Sequence, residues 1–171
     1  MSEDPKNTAL DSRGAGIGAN ADTPGVVARP PLVYLCSILV GLMLQRLWPL
    51  KVLPAALVTG LGASVILVAV VLFALCIREF RAAGTPVQPS RPTTAIIKTG
   101  PYRFSRNPVY LSLTLFQVGI GIWANSVWVL GMLVPALLLM TYGVIAREER
   151  YLERKFGREY LQYKSSVRRW L

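Results

Sequence analysis

The chain contains no histidine. Imidazole is therefore excluded as general base, metal ligand or switch near neutral pH. There are two cysteines, Cys36 and Cys76, each inside an apolar run, where a thiol behaves as a small buried hydrophobe and no disulfide is expected. Two isolated thiols without histidine supply no zinc or haem ligand set, so no metal is expected. Acids are scarce as well, nine Asp and Glu against nineteen Lys and Arg. Charged residues make up 16% of the chain, where a soluble domain carries about a quarter. With 53% hydrophobic residues and a mean hydropathy of +0.43, the composition is that of a single domain built for a bilayer.

A net charge of +10 invites a nucleic-acid reading, and the placement of the charge argues against it. Of the 19 Lys and Arg, 3 lie in residues 1–31, 2 in 46–52, 6 in 78–106 and 8 in 147–171, with none inside the apolar runs. Segregation of this kind reports membrane orientation, and no nucleic-acid partner is expected. Residues 1–31 are rich in Gly, Ala, Asp and Ser and read as a disordered tail without the layout of a secretory signal. The domain proper is expected over 32–171.

Leu32 to Gln45 is uncharged and extends to Trp48 if Arg46 snorkels, a short first span. Leu53 to Ile77 is uncharged throughout and is the clearest transmembrane helix. Arg78 to Asn107 comes next as a loop holding Pro86, Pro89, Pro92 and Pro101. Pro108 to Ala146 is again uncharged and too long for one span, so it splits at Ala124, Asn125 and Ser126 into a hairpin. Arg147 to Leu171 is charged and amphipathic. The fold expected is all-α, a multi-pass membrane bundle of four helices, or five if the loop hides another. Four spans put the tail, the loop and the C-terminal segment on one side, with 17 Lys and Arg against 2, which the positive-inside rule makes cytoplasmic.

A loop of that length without regular structure is usually functional or disordered, and its Val87, Ile96, Ile97, Tyr102, Phe104 and Tyr110 speak against disorder. It reads as a cradle on the membrane face. Asn107 suits an N-cap and Pro108 the first helical turn, which turns the free amides and the positive end of the third span toward the loop. Arg103 and Arg106 add donors, and Tyr102 and Tyr110 add aromatic faces; the plainer alternative is a capped helix start with two snorkelling arginines. Beyond the fourth span, Glu148, Leu152, Phe156 and Tyr160 recur every four residues and turn Glu148 toward protein, while Glu149, Glu153 and Lys155 project elsewhere. The plainer alternative for Glu148 is an interfacial acid paired with a nearby arginine. Gly157 is expected to break or bend that helix.

The two stretches TGPYRFSRNPVY (99–110) and EERYLERKFGREYLQY (148–163), at this spacing, resemble the isoprenylcysteine carboxyl methyltransferase and phospholipid methyltransferase family of small membrane proteins. The resemblance covers roughly Arg78 to Trp170. It implies an S-adenosylmethionine cofactor at the cytoplasmic face, held by the backbone of Thr94, Ala95, Ile96 and Ile97, by Tyr102, by Asn107, Pro108, Val109 and Tyr110 at the helix start, and by Glu148. It implies a lipophilic acceptor within the bilayer, the carboxylate or amine of an isoprenoid or phospholipid-like molecule, with Arg106 and Arg147 as substrate-side candidates. The implied location is the inner membrane of a bacterium or the endoplasmic reticulum of a eukaryote. The pattern departs from the eukaryotic isoprenylcysteine enzymes at Asn107, where they have histidine, and at Val144, where they have arginine; the second departure argues against a prenylcysteine carboxylate. A sterol-reductase-like reductase using a nicotinamide cofactor and a non-catalytic membrane scaffold are the rival readings. A transporter fits least, because the spans carry no charge.

Overall fold

The computed structural model describes residues 25, 28–86 and 93–170. The expected tail therefore lies almost wholly outside the described residues, as does Val87 of the loop. Among the described residues five helices carry the fold: α1 (Pro30–Leu47), α2 (Ala55–Ala82), α3 (Pro108–Trp123), α4 (Val127–Phe156) and α5 (Arg158–Ser166). No strand occurs among the described residues. α1, α2 and α4 are long and apolar enough to cross a membrane, while α3 has 16 residues and is a shorter apolar helix. The described residues thus form an all-helical integral membrane fold with three clear candidate spans.

Two boundaries differ from those read in the sequence. α1 starts at Pro30, where the ring's fixed φ suits the first turn. α2 runs on past Ile77 to Ala82, carrying Arg78, Glu79 and Arg81 into the helix, because charged residues form helix readily once outside an apolar stretch. The hairpin turn falls where expected. Asn125 takes φ 48°, its Oδ1 accepts from the amides of Val52 and Leu53 at 2.8 and 2.9 Å, and Ser126 caps α4. The link between α1 and α2 is thereby stitched to the turn between α3 and α4.

α2 and α3 pack along much of their length, and glycine sets their separation. A Cβ on Gly62 would sit 2.7–2.8 Å from the backbone and Cβ of Trp123, and one on Gly119 would meet the Ile66 amide nitrogen at 2.9 Å. Close helix approach through small residues is how membrane helices gain contact when lipid is as apolar as their side chains. A polar node adds to this: buried Gln117 of α3 donates to Ser37 Oγ of α1 at 2.7 Å and to the Val129 carbonyl of α4 at 3.0 Å. In contrast, α2 turns Leu61, Leu67, Val68 and Val71 outward, as a lipid-facing helix should.

Within α4, residues Leu139–Ile145 form a π-helical stretch. A stretch of this kind shifts the angular phase of the helical turns on its C-terminal side. The helix then ends at Gly157, whose φ of 51° favours glycine, and α5 sets off in a new direction. The break expected at Gly157 is present. No further helix hides in the described part of the loop, which holds only a 3-10 turn, Gly100–Arg103.

Candidate functional site

Gly100 has φ 56°, and a Cβ there would strike the Glu79 carboxylate at 2.8–2.9 Å, so the loop returns onto the end of α2 through glycine. Thr99 Oγ1 donates to Glu79 Oε2 and holds the turn in place. This sets the Tyr102 ring edge-on to Phe80 of α2, centroids 5.8 Å apart. The Tyr102 carbonyl accepts from Tyr163 Oη of α5 at 2.7 Å. The loop is thus clamped between α2 on one side and α5 on the other.

Between these elements lies a cavity of about 630 Å³, within the range of small-molecule sites. Of the residues singled out in the sequence, Ala95, Ile96, Ile97, Tyr102, Asn107, Val109 and Tyr110 line it, and so do Arg106 and Glu148. The loop before α3 and the acid after the apolar part of α4 do meet. Tyr110 Oη donates to Glu148 Oε1 at 2.5 Å, joining the two stretches directly.

Three candidates fall elsewhere. Thr94 does not line the cavity; its amide donates to Thr85 Oγ1 at 3.0 Å. Pro108 is fully buried as the first residue of α3 and also stays off the wall. Arg147 is exposed and donates to the Gly25 carbonyl at 2.9 Å, because it lies on the outer face of α4. Val144, in the middle of that helix, is buried in a cluster with Tyr34, Tyr110 and Met140.

Two readings of side-chain role need correction. Asn107 stands at the N-cap position but caps nothing: its Nδ2 donates to the Arg169 carbonyl at 3.1 Å. The first-turn amides of α3 are therefore left without a side-chain cap. Glu149 does not project away. It is 5% exposed, lines the cavity, and pairs with Arg106 at 3.2 Å and Arg169 at 2.6 Å. A stripe of every fourth residue was too narrow a guide, since a helix buries a face that also takes i+3 and i+7. Counted from buried Ile145, that face holds Glu148, Glu149 and Leu152 together.

Sequence reasoning also missed the wall supplied by Arg29, Pro30, Pro31 and Leu32 at the head of α1, and that of Phe73 and Phe80 on α2. Apolar residues on a spanning helix carry no mark telling a cavity wall from a lipid face. Phe73 is indeed 39% exposed.

The charged residues of the cavity wall are Arg29 and Arg106 against Glu148 and Glu149. Arg106 is 9% exposed at its side chain, and its Nε and Nη1 have no hydrogen-bond partner despite the nearness of Glu149. Burial pushes the Tyr102 phenol well above its ordinary range, with Cys76 as the next contributor. Burial likewise raises Tyr163, and it carries Tyr160 up to about 12 with help from the Glu149 charge. These phenols stay neutral at physiological pH, so they serve as donors and faces and not as bases. The bond to Glu149, partly opposed by desolvation, leaves Arg169 above its usual range and permanently charged.

A model of the phospholipid methyltransferase family matches residues 57–159. An uncharacterized protein of Haemophilus influenzae is 48% identical over 64 residues, 37% of this chain and the whole of that protein. The nickel-cobalt-cadmium resistance protein NccN of Alcaligenes xylosoxydans xylosoxydans is 35% identical over 66 residues, 39% of this chain and 31% of that protein. No solved structure matches the chain.

Proposed function

Since the chain belongs to the phospholipid methyltransferase family, we propose that it transfers a methyl group from S-adenosylmethionine to a lipophilic acceptor taken from the bilayer. The observation that carries this reading is the Tyr110–Glu148 bond, which ties the first turn of α3 to the acid of α4 at the cavity that the loop ahead of α3 also lines.

The residues present fit such a cofactor. Glu148 would accept from its amino group or a ribose hydroxyl, and the uncapped amides at the start of α3 would donate to its carboxylate. The Tyr102 and Tyr110 rings offer faces to the adenine or the sulfonium. When bound, the cofactor supplies a methyl group on a positively charged sulfur, and the protein contributes placement and exclusion of water.

The acceptor would lie toward Leu32, Phe73 and Leu113, the apolar side of the cavity. Arg106, whose buried Nε has no hydrogen-bond partner and whose Nη1 meets Glu149 as an ion pair without a hydrogen bond, would take an anionic group on it. Arg147 faces away and has no such part. A carboxylate or free amine acceptor needs no strong base, which fits a neutral Tyr102 phenol and a chain without histidine. The cavity opens on the cytoplasmic side if the 17-to-2 excess of Lys and Arg sets the orientation.

Membranes holding the protein, incubated with methyl-labelled S-adenosylmethionine and then extracted, should yield label in the lipid fraction. Label confined to the aqueous phase, or none transferred above membranes lacking the protein, would rule out a lipid acceptor.

A further inference from the structure

Residues 167–170 lie beyond α5 and outside the stretch matched by the family model. They run back, extended at Val167, across the outside of the cavity wall. Their backbone carbonyls meet three consecutive residues. The Arg106 amide donates to the Arg168 carbonyl at 2.9 Å. Ser105 Oγ and Asn107 Nδ2 both donate to the Arg169 carbonyl, at 3.3 and 3.1 Å. The Arg169 guanidinium grips Glu149 with two bonds, Nε to Oε1 at 3.0 Å and Nη2 to Oε2 at 2.6 Å. The same Oε1 lies 3.2 Å from Arg106 Nη1. Trp170 packs against the Tyr34–Tyr110–Met140 cluster and anchors the end of the segment.

Locally the Ser105–Asn107 turn is tied at its ends, the Ser105 amide donating to the Pro101 carbonyl and the Asn107 carbonyl accepting from the Leu111 amide, so its remaining polar groups must find partners elsewhere. Here they bind the carbonyls of two successive arginines, the second of which has its own side chain locked by a planar two-bond pair. Arg169 does not line the cavity, although Arg106, Asn107 and Glu149 do. We propose that residues 168–170 are a strap that holds Arg106 and Asn107 in register with the cavity, with Arg169 as a positioning residue for ligand binding. The inference rests on the reading of that cavity as the cofactor site, and it extends the working site past the family's matched segment.

The test uses the full chain in detergent, as wild type, Arg169→Ala, and Arg168→Ala, whose exposed side chain makes none of these bonds. Amide hydrogen exchange over 100–110 should quicken by about tenfold in Arg169→Ala and stay unchanged in Arg168→Ala, with α2 unaffected in both. Affinity for S-adenosylhomocysteine should fall about tenfold in Arg169→Ala, and the same change in an Arg106→Ala background should cost nothing further. Should Arg169→Ala fail to fold, Arg169→Lys keeps the charge, loses the fork, and should show the same effects at reduced size. Unchanged exchange, or losses that add in full across the two arginines, would overturn the strap. Wild type that binds no S-adenosylhomocysteine while exchange behaves as stated would instead remove the cofactor reading and leave the strap in place.

Discussion

Replacing Glu148 by Gln lowers the affinity for S-adenosylhomocysteine by roughly tenfold to a hundredfold, the equivalent of about 1.5–3 kcal/mol for a hydrogen bond to a charged group. Glutamine keeps the volume and can still accept from Tyr110, so the fold should stand and only the charge be lost. A calorimetric titration of the two proteins in the same detergent reads the difference. Because amino-group recognition precedes chemistry, methyl transfer at saturating cofactor should fall less than transfer at low cofactor. Equal affinities would mean that Glu148 is an interfacial acid and nothing more.

Glu149→Ala has the opposite profile. It removes the carboxylate shared by Arg106 and Arg169 and leaves Arg106, 9% exposed at its side chain, as a buried charge without its counter-charge. Breaking one side of a buried pair costs about 3–5 kcal/mol. Arg169 is 36% exposed and can hydrate, so the lower end of that range applies. At about 2–4 °C per kcal/mol for a chain of this size, the melting temperature should drop by roughly 6–12 °C in a detergent melt. Pairing the change with Arg106→Met, which removes the stranded charge, should restore most of the loss. A melt for Glu149→Ala within about a degree of wild type would contradict the buried network.

The helical order was legible because its signals are local. Uncharged runs of membrane length, proline at the start of α3, Asn125 in the hairpin turn and Gly157 at the kink each act within a few residues. The meeting of Tyr110 with Glu148 was implied by a resemblance of spaced motifs, and the two side chains are joined by a hydrogen bond. What escaped the sequence depends on distant partners. Arg169 lies 20 residues from Glu149 and 62 from Asn107, separations that no helical period links. The side chain of Asn107 left its capping role because a carbonyl from the chain's far end was within reach. The wall at the head of α1 uses ordinary proline and leucine, whose facing toward a cavity is decided only by packing.

The central claim is that residues from the loop before α3 and from the end of α4 surround one cofactor. Irradiating the purified protein with radiolabelled S-adenosylmethionine and mapping the labelled peptides addresses it most directly. The account predicts label in peptides spanning 95–110 and 148–152, competed away by unlabelled S-adenosylhomocysteine. Label confined to other segments, or label that competitor does not displace, would contradict it.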